Sequence, residues 1–261
     1  MSRKCLLVMF TILALVLGLA LSAQAAPVGR FLQLEGQVDL LKGGKLPAAA
    51  AKLTDPVEPK DVIRTKSKSR AQILFVDDTI LTLAPESQVA VADFFYDGAR
   101  GQRRALVQVF RGLVHTVVNR ILNLQEPDFL MQTHTAVIGV RGTEWYALLL
   151  PNRTNVYNMQ GLLELAASNR QILGSLLLQT LKFSEVRRDQ APGPARDITP
   201  GILTMLRRMM QTGVTAIPPD LPGAEGPLPG LDQQGLPEGV MGPYAPTLPP
   251  VQAPQRVTPK Y

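Results

Sequence analysis

The feature that most constrains this chain is an alternation of apolar and polar residues with a period close to two, which runs through most of residues 28–186. The clearest segments are short and rich in Val, Ile, Leu and Thr: 71–75, 79–83, 89–92, 106–110 and 154–159. Successive side chains of a β-strand point to opposite faces of a sheet, so this period predicts half-buried strands. Turn residues such as Asp77-Asp78 and Asp97-Gly98 separate the segments. The pattern predicts an all-β domain at residues 28–190, sandwich-like or solenoid-like.

One segment after this domain has a clear helical period. Thr199 can cap a helix there, and Pro200 suits the first helical position. An apolar stripe follows at Ile202, Leu203, Leu206, Met209 and Met210. These signals predict one short helix within residues 197–213 that packs on or beside the β-domain, with a membrane-surface role as the alternative.

The N-terminus has the pattern of an export signal. Arg3 and Lys4 precede a long apolar run, and an Ala-x-Ala site ends at Ala25. We therefore expect residues 1–25 to be a cleaved signal peptide and the mature protein to be periplasmic; a retained membrane anchor is the alternative. Cys5 is the one cysteine of the chain, so the mature protein would have no disulfide and no thiol nucleophile.

The C-terminal segment, residues 217–261, contains Pro and Gly every few positions. It lacks periodic apolar residues and cannot bury enough surface to offset the entropy lost on ordering. We expect a disordered tail that binds a partner, threads through the cell wall or serves as a passive linker.

Two further segments are ambiguous. Residues 46–53 are rich in Ala and predict either a turn of helix or an irregular excursion. Residues 113–124 favour a strand at the start and either state after Asn119.

The charge pattern gives no sign of nucleic-acid binding. The formal net charge of the chain is +6. Pairs of arginines, such as Arg103-Arg104 and Arg207-Arg208, are dispersed along the sequence. Nucleic-acid binding requires a basic stripe with interleaved aromatic residues. We interpret these pairs as solvated surface charges.

Several phrases occur in an order that resembles the FecR-type domain, the periplasmic part of the ferric-citrate regulator family. They are LEGQV at 34–38, DVIRT at 61–65, FVDDTILTL at 75–83, RGLV at 111–114, MQTHTAVIGVRGT at 131–143 and NMQG at 158–161. The resemblance covers about residues 34–186 and implies a β-rich, solenoid-like domain.

The resemblance also implies a role in signalling. Well-known members cross the inner membrane once, control a sigma factor through a cytoplasmic segment and receive a signal from an outer-membrane transporter. Only four residues precede the apolar run here, so we expect an exported, stand-alone domain without the anti-sigma segment.

The motif AVIGVRGT is predicted to be a structural corner between two strands. Gly142 can adopt the unusual backbone angles of a bend, and Thr143 begins the next strand. Arg141 is expected to bind adjacent backbone carbonyls. Trp145 and Tyr146 would alternate across the following strand, one of them toward the core.

The histidines do not form a predicted metal or catalytic site. His115 and His134 lie in different β-segments, without the spacing of a metal motif.

The acidic residues also favour structural roles. Asp77 and Asp78 are typical of a tight turn and supply too few oxygens for calcium. A glycosidase would need two facing carboxylates, for which Glu144 and Glu164 are unsupported candidates. The sequence therefore predicts no catalytic residue, no cofactor and no metal.

Adjacent aromatic residues are the remaining functional clue. A strand must direct Phe95 to the face opposite Phe94 and Tyr96, so some apolar surface there could contact a partner. Burial within the fold is the alternative.

We expect a non-enzymatic envelope interaction or sensing protein that binds an envelope protein or polymer. Its alternatives are a relay from an outer-membrane transporter to a sigma-factor system through a separate chain, and a glycan hydrolase.

Overall fold

A computed structural model describes residues 26–120 and 128–212, which form seventeen strands and one α-helix. The strands are β1 Gly29–Glu35, β2 Val38–Leu41, β3 Ala49–Ala50, β4 Pro56–Val57, β5 Val62–Thr65, β6 Arg70–Phe75, β7 Ile80–Leu83, β8 Gln88–Asp97, β9 Gln102–Val117, β10 Phe129–Gln132, β11 Ala136–Val140, β12 Glu144–Leu150, β13 Arg153–Gln160, β14 Leu163–Ala167, β15 Ser175–Leu178, β16 Lys182–Arg187 and β17 Arg196–Asp197. Helix α1 is Pro200–Met209. The predicted all-β fold with one short helix is confirmed. The predicted signal peptide and tail lie outside the described residues.

The strands form two sheets that share β9. Sheet A has the order β4-β1-β6-β7-β9-β12-β13-β16-β17. Sheet B has the order β3-β2-β5-β8-β9-β10-β11-β14-β15. Neighbouring strands are antiparallel except β9 and β10, which are parallel. The pairings among β1 to β9 all lie within residues 29–117.

The core lies between the two sheets. The rings of Phe75 from sheet A and Phe94 from sheet B are stacked with their centroids 4.9 Å apart. Farther along the chain, the ring centroids of Phe129 in sheet B and Trp145 in sheet A lie 6.1 Å apart in a T-shaped arrangement. Trp145 is fully buried. The residues that alternate inward thus form one core, and burial of each such large side chain contributes about 1.5–3 kcal/mol.

Strand β9 crosses from one sheet to the other. Its first part pairs with β8 in sheet B, and from Gly112 onward it pairs with β7 and β12 in sheet A. Gly112 has a φ of 94°, and a Cβ there would lie 2.2 Å from Ser87 Oγ. The sequence suggested separate segments on either side of Arg111-Gly112. The structure instead joins them into one strand of 16 residues, because glycine permits the crossing without ending the strand.

Helix α1 packs on the outer face of sheet A. Thr199 Oγ1 accepts a hydrogen bond from the Ile202 N–H, which caps the helix. Leu206 is fully buried in a cluster that also contains Leu148 and Tyr157. Four residues of the predicted stripe, Ile202, Leu206, Met209 and Met210, therefore face the sheet, whereas Leu203 is not part of this cluster. Among the described residues, no helix is long and apolar enough to cross a membrane.

The ambiguous segments are now assigned. Residues 46–53 contain the two-residue strand β3 and no helix. The strand that begins before residue 113 ends at Val117, and residues 121–127 lie outside the described part of the chain.

Candidate functional site

A cleft of about 520 Å³ lies where β11 turns toward β12, on the side of sheet B. We call it the corner cleft. Its lining residues are Arg120, Gly139, Arg141, Gly142, Gly161, Leu162, Glu164 and Leu177. They come from four separate parts of the chain that the two sheets bring together.

Glycines create the corner by permitting close approach of the backbone. Gly142 has a φ of 74°, and a Cβ there would lie 2.4 Å from the Cβ of Arg120. Gly161 has a φ of 89°, and its Cβ would lie 2.6 Å from Thr143 Cγ2. The Thr143 carbonyl accepts a hydrogen bond from the Val118 N–H at 2.9 Å. No other residue type fits either glycine position without strain.

Two exposed guanidinium groups and one buried carboxyl group give the cleft its charge. Arg120 and Arg141 are exposed. The expected hydrogen bonds from Arg141 to backbone carbonyls are not found within the described ranges. Glu164 is only 7% exposed, and its Oε1 has no hydrogen-bond partner. Burial raises the pKa of Glu164, whereas the charge of Arg141 and a hydrogen bond with Ser175 lower it.

Apolar side chains complete the cleft. Leu162 is 48% exposed and Leu177 is 47% exposed. The buried Gly139 also lines the cleft. The cleft can therefore offer cationic, hydrogen-bonding and apolar contacts to one ligand. The motif AVIGVRGT contains Arg141 and Gly142, but no local pattern points to Arg120, Leu162 and Leu177, because only the two-sheet fold brings them together.

The predicted aromatic contact site divides into two parts. Phe94 is buried against Phe75. Phe95 is 46% exposed and Tyr96 is 37% exposed. The register pairs Phe94 with Ala105, Phe95 with Arg104 and Tyr96 with Arg103 without a bulge among them, so Phe94 and Tyr96 lie on one face of the strand and differ only in their exposure.

His115 is engaged on the outer face of sheet A. Its Nε2 lies 2.9 Å from Glu144 Oε1, and its ring stacks on Tyr146 at 4.3 Å. Burial lowers the pKa of His115, although Glu144 raises it. Glu144 thus lies on the outer face of sheet A and Glu164 on that of sheet B. With the core between them, these two carboxyl groups do not form a facing pair.

The turn at Asp77 belongs to a buried charge network. Arg103 donates to Asp77 Oδ2 at 2.7 Å and to both carboxylate oxygens of Asp128 at 2.8 and 3.0 Å. Asp77 also accepts hydrogen bonds from the backbone N–H and the hydroxyl of Thr79. The side chains of Arg103 and Asp77 are fully buried. The interpretation of Arg103 as a solvated charge is therefore wrong, whereas its neighbour Arg104 is exposed.

The described residues contain no group of His, Cys, Asp and Glu side chains that could hold a metal ion. His134 lies apart from His115, near the backbone of Leu150 and Pro151. Burial is the main cause that lowers the pKa of His134.

The fold is a two-sheet β-domain with an exposed cleft of mixed polarity. Residues 61–163 match the family model described as FecR protein. The matched segment spans β5 to β13 and includes the corner between β11 and β12. This segment is therefore similar to a FecR domain, in agreement with the resemblance found in the sequence motifs.

Solved structures show a weaker likeness. Two crystal structures from Parabacteroides distasonis, both described as an anti-sigma factor, match with TM-scores of 0.44 and 16% sequence identity. Each match covers 55% of this chain and 62% or 63% of the other chain. This chain therefore spans less than two thirds of the length of those structures. None of the curated proteins compared with it matches.

Proposed function

We propose that the chain is a regulatory binding module of the cell envelope, located in the periplasm, that acts by non-covalent contact and not by catalysis. The observation that carries the proposal is the corner cleft: a FecR domain presents it with an orphan acceptor, exposed guanidinium groups and exposed leucines. The exposed guanidinium and leucine side chains suit recognition, because a partner can bury them.

The distribution of acid and base groups supports binding over chemistry. His115 is occupied by Glu144 and Tyr146. The Asp77 carboxylate already accepts hydrogen bonds from Arg103 and Thr79. A general base needs a free position within reach of a substrate, and neither group offers one. The two candidate glycosidase carboxyl groups lie on different sheets.

The localisation is tested by intact-mass measurement of the protein in separated periplasmic and membrane fractions. We expect soluble periplasmic protein that lacks residues 1–25. Full-length protein in the inner membrane would contradict the periplasmic part of the proposal.

The binding role is tested by chemical crosslinking in intact cells, followed by identification of the captured species. The expected result is a specific envelope partner that is enriched over a control chain of unrelated fold. Absence of any enriched partner, together with turnover of envelope glycan by the purified chain, would overturn the proposal.

A further inference from the structure

We propose that strand β15 is a self-association edge, at which a second copy of this chain adds its own β15 in antiparallel orientation. The two strands continue sheet B across a two-fold axis, and Leu177 of each copy lies opposite Leu177 of the other. This assembly goes beyond the proposed function, because it does not depend on what the corner cleft binds.

Strand β15 forms one open edge of sheet B. Among the described residues it pairs with β14 and with no other strand. Every residue of β14 is buried, whereas Ser175 and Leu176 of β15 are partly exposed and Leu177 is 47% exposed. An edge strand presents backbone N–H and C=O groups to which a further strand can bind. The far side of β15 is therefore open to strand addition.

The other three sheet edges carry features that oppose such addition. Strand β4 begins with Pro56, which has no backbone N–H to donate. Strand β3 has only two residues, Ala49–Ala50. Both residues of β17, Arg196–Asp197, are charged. Short strands, charges and proline are common means by which proteins prevent pairing between edges. The four residues of β15 include no charge and no proline, so this edge alone among the four lacks such protection.

The sequence around β15 favours a second copy as the occupant. Residues 171–181, QILGSLLLQTL, contain six Leu or Ile residues, no proline and no charged side chain. Segments of this composition pair readily with copies of themselves. Two such edges meet without repulsion between like charges, and they do not select a charged partner. The chain's own residues 217–261 are a poor alternative, because Pro and Gly recur there every few positions and interrupt a strand ladder.

The two-fold axis determines the register. An axis perpendicular to sheet B keeps each face continuous, so outward side chains of one copy meet outward side chains of the other. Leu177 points outward beside Glu164, its partner on β14. A pairing centred on Leu177 places Leu176 opposite Leu178 of the second copy on the inner face. Leu176 packs against the core but is only partly buried, so the added strand extends the core across the edge.

The first test is sedimentation equilibrium of the purified full chain over a range of about 1–500 μM. Because β15 has only four residues, the interface is small and the association should be weak, with dimers forming at roughly tens of micromolar. A mass of one chain at every concentration would overturn the inference.

Charges at Leu177 test the register. Leu177→Lys and Leu177→Glu should each weaken the dimer by about tenfold or more, because like charges then lie opposite each other. An equal mixture of the two variants should dimerise, because opposite charges then face across the axis. Leu53→Lys is the matched control: Leu53 is 59% exposed and lies far from β15 in sequence, so the dimer should persist. Failure of the mixture to associate would refute the two-fold register.

Leu177→Cys tests the same contact by a second route. Directly opposed residues of an antiparallel pair have Cα atoms about 4.5–5.5 Å apart, which suits a disulfide. Cys5 is the one cysteine of the chain, so Cys5→Ser supplies a background without thiols. Copper phenanthroline added to cells should give a linked dimer with Leu177→Cys and little with Leu53→Cys. Equal yields from the two variants would show that β15 is not the contact.

The outcomes separate self-association from the proposed function. If Leu177→Lys is monomeric yet crosslinks to the same envelope partner as the wild-type chain, both proposals are supported. If the wild-type chain is monomeric and Leu177→Lys loses that partner, β15 pairs with a strand of the partner, and the second copy is the wrong occupant. If the chain dimerises through Leu177 but no envelope partner is captured, the inference stands and the proposed function fails.

Discussion

Arg103 carries a positive charge into the interior, where two carboxylates and the carbonyl of Asn119 surround it. Moving an ion out of water costs several kcal/mol, and the attraction between buried partners offsets this cost only when the geometry satisfies each group. Asp77 and Asp128 provide that geometry from two different turns. The network therefore fixes the β6–β7 turn relative to the beginning of β10.

Removal of one partner from this network should be costly. We expect Asp77→Asn to lower the free energy of unfolding by about 3–5 kcal/mol, because it leaves the Arg103 charge undercompensated. The matched control is Asp93→Asn, which breaks the exposed pair with Arg104 and should cost about 0–1 kcal/mol. Urea unfolding measures both. Equal losses for the two variants would show that burial does not set the cost.

His115 should make the stability of the protein dependent on pH. Its folded pKa is lowered, chiefly by burial, from an ordinary value of 6.5, so the unfolded state binds the proton more readily. Stability should therefore be constant well above that value and should fall as the pH drops through 6.5 toward the folded pKa.

The measurement is the free energy of unfolding from about pH 8 to about pH 5. His115→Gln should flatten the slope. His134, whose pKa is also lowered, should account for part of the remainder, so the double variant should be flatter still. An unchanged slope in His115→Gln would show that His115 does not couple to folding.

Among the elements, helix α1 depends on both its own sequence and the sheet. A helix of ten residues is marginal in water by itself, so most of its stability comes from packing. Its cap and stripe are local signals, which is why the sequence predicted it well. The strand crossing at Gly112 has no such local signature.

Two leucines of α1 separate packing from helix propensity. Leu206→Ala should destabilise the protein by about 2–5 kcal/mol, because this side chain is fully buried against sheet A. Leu203→Ala makes the same chemical change at a partly exposed position of the same helix and should cost about 1 kcal/mol or less. Thermal and urea unfolding can compare them. Similar losses would mean that the helix does not depend on its contact with the sheet.

At the scale of the whole molecule, the two sheets are joined through the crossing of β9. Gly112→Ala should lower the free energy of unfolding by about 3 kcal/mol or more, because the new Cβ would meet Ser87 at a φ of 94°. Gly174 also has a positive φ, of 107°, but nothing lies within 4 Å of its Cβ position. Gly174→Ala should therefore cost only about 1–2 kcal/mol. Urea unfolding measures the free energy lost in each variant. Equal losses for Gly112→Ala and Gly174→Ala would exclude crowding against Ser87 as the cause.

The sequence predicted the fold class well because a period of two and turn residues are local properties. It could not give the strand order, since that order depends on pairing between segments that lie far apart in sequence. The same limit applies to the candidate site. AVIGVRGT contains Arg141 and Gly142, yet Arg120, Glu164 and Leu177 join them only through the sheet. Arg103 was misassigned because a charged residue gives no sequence sign that two carboxylates surround it.

Because both sheets share β9, the strands before it can pair before the strands that follow it. All strand pairings among β1 to β9 involve residues 29–117. Half of each sheet can therefore form before any later residue is needed, through loops whose closure costs little entropy. The second half can then grow on an existing template, since β10 adds to the sheet B part of β9 and β12 to its sheet A part. In a nascent chain, the two parts of β9 would thus form the sheet edges to which β10 and β12 add.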